Sequence, residues 1–294
     1  MIEISSGALS ASIDPFGAEL VSLRDAEGRA LMTDADPAFW TGRAPILFPI
    51  VGTLNGDRYR VQGREYALPR HGFARRMMFE PVETGPERAC LRLTDTAATR
   101  AAYPWPFTLL MEFAIEDLTL RMSATIHNTG DATMYASFGF HPAFAWPLPY
   151  GHDRADHRIT FDHDMPGPLR ALDADGLIAG DRPSPLDGRV LHLSDALFAH
   201  DALIWDPAPP LRLLYGASEG PLLIVESLSA RQLGIWTRPG ARFLCIEPWN
   251  GIADPAGYGG EFADKPGVLA LEPNGVRHIE MKVSLDILRV TRGV

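Results

Sequence analysis

Two histidines and a glutamate, each in an aromatic stretch broken by Gly and Pro, are the residues of this chain best suited to chemistry. His71 lies in Pro69-Arg70-His71-Gly72-Phe73-Ala74-Arg75, His141 in Phe138-Gly139-Phe140-His141-Pro142, and Glu247 in Cys245-Ile246-Glu247-Pro248-Trp249-Asn250-Gly251. An imidazole with an ordinary pKa near ~6.5 holds or releases a proton at neutral pH. A carboxylate closing the apolar run Phe243-Leu244-Cys245-Ile246 needs a partner or a task. Two imidazoles and a carboxylate from distant parts of one scaffold are the raw material of metal-free general acid–base catalysis. Such a site suits a polar small molecule, and the aromatic neighbours, Trp249 among them, suit the face of a sugar ring.

Each residue also has a plainer reading. His71 could be a structural hydrogen-bonder, although Gly72 permits close backbone approach and Arg70, Arg75 and Arg76 crowd positive charge beside it. His141 follows Tyr135, Phe138 and Phe140, and Pro142 would end strand pairing and leave the ring at a sheet edge or cleft rim. The same aromatics could be core. Glu247, which alternation places on the face of Cys245, could pair with Arg238 or Arg242. Asp201, ahead of Ala202-Leu203-Ile204, could bind substrate hydroxyls or cap a turn. Arg43, before Ala44-Pro45-Ile46-Leu47-Phe48-Pro49, could clamp a substrate or be surface charge.

Other catalytic schemes lack their signatures. There is no HExxH, CxxC or EF-hand loop, no GxGxxG or Walker sequence, and no GxSxG elbow. His152, His157 and His163 sit in an acidic loop that reads as solvated rather than metal-binding. The net charge of −10 argues against an extended nucleic-acid or anionic-membrane surface, though a local Arg pocket is compatible with it. Hydrophobic residues at 46% support a large buried core. Cys90 and Cys245, both in apolar runs, read as reduced core residues. No run approaches the ~20 apolar residues a bilayer demands, and Met1-Ile2-Glu3-Ile4 runs straight into strand-like sequence, so a cytoplasmic address is expected.

The elements that must hold these residues are strands. Leu9, Ala11 and Ile13 alternate onto one face, and strand patterns follow at 17–24, 30–32, 58–61, 65–68, 89–93, 107–115 and 118–126. Ala132 through Phe140 reads as one further strand. Residues 150–190, rich in Asp, Pro and Gly, read as an excursion with one or two edge strands. Strands return at 203–205, 211–215, 222–226, 233–237 and 242–246, and 278–285 closes the chain. Only Ala97–Ala102, ended by Tyr103-Pro104, reads as helix. One large β domain over 1–294 is the expected organisation.

Taken together, HGFAR, FGFHPAF with its histidine seventy residues later, DALI and IEPWNG resemble the aldose 1-epimerase (mutarotase) superfamily. The resemblance is to the bacterial subgroup carrying HGFAR and IEPWNG, and it spans the chain from Gly17-Ala18-Glu19-Leu20 to the last strand. It implies an all-β fold, a large antiparallel β-supersandwich with few short helices. It implies that Glu247 is the general base and His141 the general acid, with His71 assisting at the ring oxygen or a neighbouring hydroxyl. Asp201 and Arg43 would bind substrate, and no metal or cofactor is expected. The chain departs from many relatives at Gly52-Thr53, where they have Gly-Arg. The implied activity is interconversion of α and β anomers of a hexose. A hexose-6-phosphate 1-epimerase, with Arg43 and Arg75 or Arg76 clamping phosphate, and a non-catalytic carbohydrate-binding module are the alternatives. The expected partner is a small-molecule sugar, not nucleic acid or membrane, and a homodimer is compatible with the sequence.

Overall fold

The computed structural model describes residues 1–287 and is built almost wholly of antiparallel strands. A nine-stranded sheet runs in the order Val190–His192, Arg158–Phe161, Leu211–Gly216, Leu222–Ser227, Val276–Asp286, Thr119–Asn128, Phe107–Glu116, Arg88–Thr94, Glu80–Thr84. Its longest hairpin shows why it forms. Phe107, Leu109, Met111, Phe113 and Ile115 are buried at every second position, and the partner strand repeats the pattern from Leu120 to Ile126. Asp117, at φ 49°, turns the chain between them.

A seven-stranded sheet carries the candidate site. Its order is Phe138–Gly139, Phe243–Asn250, Gln232–Trp236, Leu203–Trp205, Leu169–Leu172, Ile178–Arg182, with Ala143–Ala145 also paired to Phe243–Asn250. The inner faces of the two sheets share one apolar cluster, in which Leu233, Ile235, Leu244 and Ile246 join Met111, Phe113, Leu213 and Met281. The Phe161 and Trp205 rings meet across it at 5.6 Å, and Tyr215 Oη donates to the Ala145 carbonyl at 2.7 Å. A three-stranded sheet, Ile2–Ser5, Leu9–Asp14 and Glu19–Asp25, a two-stranded sheet of Met134–Ala136 and Leu269–Leu271, and the hairpin of Arg58–Val61 and Arg64–Ala67 complete the strands of the described residues. The expected all-β sandwich is what the chain forms. Ala97–Ala102 is the α-helix, opened by a capping box between Thr96 and Thr99.

Four sequence expectations change. Residues 132–140 are not one strand: Met134–Ala136 pairs with Leu269–Leu271, and Phe138–Gly139 moves to the seven-stranded sheet. The break falls at Ser137, whose N–H donates to the Pro49 carbonyl at 2.7 Å. Residues 30–32 make only isolated bridges, from Ala30 to Arg24 and from Met32 to Phe144. The 150–190 segment carries an edge strand, Ile178–Arg182, as expected, but it is more than an excursion, because Arg158–Phe161 and Leu169–Leu172 lie inside the two large sheets. His157, read there as solvated, is buried and accepts the Leu148 N–H at 3.0 Å.

Candidate active site

The pleat of Phe243–Asn250 creates the site. Leu244 and Ile246 point into the inter-sheet core, so Cys245, Glu247 and Trp249 point the other way. That opposite face floors a cleft of about 650 Å³, within the ~300–1,000 Å³ of small-molecule sites. Trp249 lies across the floor between two glycines on the neighbouring strands. A Cβ at Gly139 or at Gly234 would stand 2.5 Å from its indole. Glycine at both positions lets a large flat ring lie down on the sheet beside the carboxylate.

Backbone pairing then brings His141 to Glu247. The Phe140 N–H donates to the Pro248 carbonyl at 3.2 Å, and the Ile246 N–H donates to the Pro142 carbonyl at 3.2 Å. The residue between these two rungs is held beside the glutamate, with His141 Nε2 3.2 Å from Glu247 Oε2. No arginine answers the glutamate: Arg242 pairs with Asp34 and Arg238 forms no ion pair among the described residues. His141, and no arginine, is thus the group placed against the Glu247 carboxyl.

His71 arrives from a tight hook. Its own φ is 66° and that of Gly72 is 70°, where a Cβ on Gly72 would collide with the Phe48 carbonyl. The His71 N–H donates to the Gly52 carbonyl at 2.9 Å, and the Gly52 N–H donates back to His71 Nδ1 at 3.1 Å. Arg70 Nε approaches the other ring nitrogen at 3.3 Å. Donors on both sides, the Gly52 N–H at Nδ1 and the Arg70 Nε–H at Nε2, disfavour an imidazolium. The His71 and His141 rings meet edge-on at 5.9 Å.

Burial governs the charges. Glu247 is 2% exposed, and desolvation pushes its pKa well above the carboxylate range, against the opposing pull of Arg70. Asp201 across the cleft adds to the rise. The Trp249 N–H favours the anion without reaching a full hydrogen bond. Desolvation also drives His141 down to about 3, and His71 well below its usual value, with Arg70 and Arg75 adding to both. Burial thus favours the neutral forms of Glu247 and of both imidazoles.

The cleft also contains Asp201, Arg75 and Trp249. Asp201, at φ 67°, accepts the Ala202 N–H at 2.7 Å, so it caps its own turn while lining the cleft. Arg75 donates to the Arg70 carbonyl at 2.7 Å, and its Nε is buried without a partner. Arg43 does not line the cleft. Its guanidinium donates to the Val21 and Thr33 carbonyls at 3.2 and 3.5 Å, because the segment is tied down by the Glu19 carboxylate.

Sequence reasoning missed the side walls. Trp40 stands 5.0 Å and Trp236 5.9 Å from the His141 ring, at right angles to one another. A Cβ on Gly42 would strike the Trp40 ring, so the Trp40-Thr41-Gly42 sequence was the available signal. Arg70 and Arg238 add positive charge at the mouth, and Leu172 and Gly176 come from the 150–190 segment.

A family model described as aldose 1-epimerase matches residues 1–172. The chromosomal protein LacX of Lactococcus lactis subsp. lactis is 29% identical over 283 residues, 92% of this chain and 95% of that protein. A galactose mutarotase related enzyme from Lactobacillus acidophilus superposes with a TM-score of 0.90 at 29% identity, covering 97% of this chain and 96% of its own. A galactose mutarotase-like protein from Lactobacillus casei gives 0.90 at 26% identity, covering 97% and 100%.

Proposed function

Since the chain belongs to the aldose 1-epimerase family, we propose that it interconverts the α and β anomers of a hexose by cofactor-free ring opening. The observation that carries this reading is the 3.2 Å approach of His141 Nε2 to Glu247 Oε2 at the bottom of an aromatic-walled cleft. The anomeric hydroxyl oxygen and the ring oxygen are both bonded to C1. A base and an acid serving them at once must themselves be close neighbours.

In the proposed cycle Glu247 takes the proton of the C1 hydroxyl while His141 protonates the ring oxygen, and the C1–O5 bond opens to the aldehyde. Rotation about C1–C2 presents the other carbonyl face. His141 then withdraws the O5 proton as O5 attacks C1, and Glu247 returns its proton to O1. The closed sugar is thus matched with an ionised pair and the open-chain aldehyde with an uncharged one. Burial favours the uncharged pair, which supports stabilisation of the ring-opened stage. His71, which lines the cleft, is assigned to a sugar oxygen, Asp201 to hydroxyls, and Trp40, Trp236 and Trp249 to ring faces. Two unpaired buried cysteines fit a reducing cytoplasmic setting.

One observation favours a second reading, a sugar bearing an anionic group. Arg70, Arg75 and Arg238 line the cleft, and none forms an ion pair among the described residues. Arg70 and Arg75 would replace the clamp expected from Arg43. Polarimetry or exchange NMR at the anomeric protons, on aldoses and hexose 6-phosphates, tests both readings. Acceleration by wild type and none by Glu247→Gln supports the epimerase, and the preferred sugar names the class. Folded wild type that accelerates no sugar sinks it in favour of a binding module. Sugar binding retained in an inactive His141→Asn variant would assign His141 to the chemistry.

A further inference from the structure

Cys245 has no part in the acid–base cycle, yet its sulfur lies beside both catalytic groups. It shares the cleft-facing side of its strand with Glu247, and the ligand atoms of His141, Cys245 and Glu247 all lie within 4.8 Å of one another. All three residues are buried, and Glu247 Oε2 has no hydrogen-bond partner. We propose that His141 Nε2, Cys245 Sγ and Glu247 form a three-ligand site for a thiophilic divalent cation such as Zn²⁺, and that its occupation blocks catalysis.

The geometry suits zinc. Bonds of ~2.0–2.2 Å to nitrogen and oxygen at a tetrahedral angle place those two atoms about 3.3 Å apart, and His141 and Glu247 already stand at 3.2 Å. The three ligand atoms all lie within 4.8 Å of one another, so at most about 1 Å of closure brings the sulfur to a tetrahedral spacing. The fourth position opens toward the cleft, for water or a sugar hydroxyl. Charge selects the metal. Thiolate, carboxylate and neutral imidazole turn a dication into a neutral cluster, which a buried site tolerates. Two protons, from the thiol and the carboxyl, leave to solvent as the metal binds. Arg70 and Arg75 oppose any cation that fails to recruit both anions. Mg²⁺ and Ca²⁺, which favour all-oxygen shells, have no such shell here. The bound ion would occupy the lone pairs that Glu247 and His141 need for proton transfer, so it acts as an inhibitor and not as a cofactor.

The inhibitory consequence rests on the acid–base reading above, whereas the binding does not. The test is titration of the metal-free protein with Co²⁺, read by absorption, alongside mutarotation under buffered free Zn²⁺. Wild type and Cys90→Ala should give a thiolate-to-cobalt charge-transfer band saturating at one equivalent, and Cys245→Ala and Cys245→Ser should lack it. Zn²⁺ should inhibit wild type and Cys90→Ala at concentrations at least tenfold below those needed for Cys245→Ala, and Mg²⁺ should not inhibit. A missing band in wild type overturns the site, as does a band that survives in Cys245→Ala or disappears in Cys90→Ala. Equal zinc sensitivity of wild type and Cys245→Ala overturns the inhibitory role. A cobalt band in a folded protein that accelerates no sugar would overturn the epimerase reading while leaving the metal site standing.

Discussion

Glu247→Gln and His141→Asn, alone and combined, probe whether the two groups work as one proton-sharing unit. A positioned acid or base is worth ~10²–10⁴-fold, so each single variant should lose about 2.7–5.4 kcal/mol of barrier lowering. Independent groups would multiply, and the double variant would fall by ~10⁴–10⁸-fold. The proposed concerted action of two groups 3.2 Å apart predicts instead that the double variant is little worse than either single one, since each single change already leaves the other group without its partner in the cycle. Stability supplies an independent arm. A structural ion pair with His141 would make removal of the Glu247 charge cost about 3–5 kcal/mol. Burial favours the neutral form of Glu247, and Gln is close to the isostere of that form, so Glu247→Gln should cost less than about 1.5 kcal/mol. Exchange NMR gives the rates and urea denaturation the stabilities. Multiplicative losses in the double variant, or a large stability loss in Glu247→Gln, would refute the shared-proton account.

Three further outcomes follow from the packing and charges. Gly234→Ala should drive a methyl into the Trp249 indole, 2.5 Å away, costing about 1–3 kcal/mol and slowing catalysis; thermal melts and near-UV circular dichroism would detect it. Lys265, 3% exposed and 3.0 Å from buried Asp254, should cost about 3–5 kcal/mol when changed to Met, and adding Asp254→Asn should recover part of that in urea titrations. His157 is buried, with its pKa lowered chiefly by desolvation. Its contribution is therefore complete above the unfolded value of ~6.5 and is lost as pH falls below it, by up to ~1.4 kcal/mol per pH unit; chemical denaturation of wild type and His157→Gln from pH 8 to 5 should show a shallower acid loss in the variant.

Side-chain type and alternation are local properties, and they made much of this protein legible without coordinates. Period-two burial announced the strands from Leu9 to Ile13 and from Phe107 to Ile115, and it put Glu247 on the face of Cys245. A histidine before Pro142 and a carboxylate ending an apolar strand marked where proton chemistry could reside. What pairs with what is not local. The split of 132–140 between two partners, the entry of 150–190 into both sheets, and the two backbone rungs flanking His141 depend on contacts between residues far apart in the chain. The same reason decided which arginine turned inward. Arg43 found nearby carbonyls and stayed out, whereas Arg70 and Arg75 were carried to the cleft by the hook that folds His71 against Gly52. Residue type and alternation show which groups could carry a proton and which faces they share; long-range packing sets the 3.2 Å between His141 and Glu247 and shields both from water.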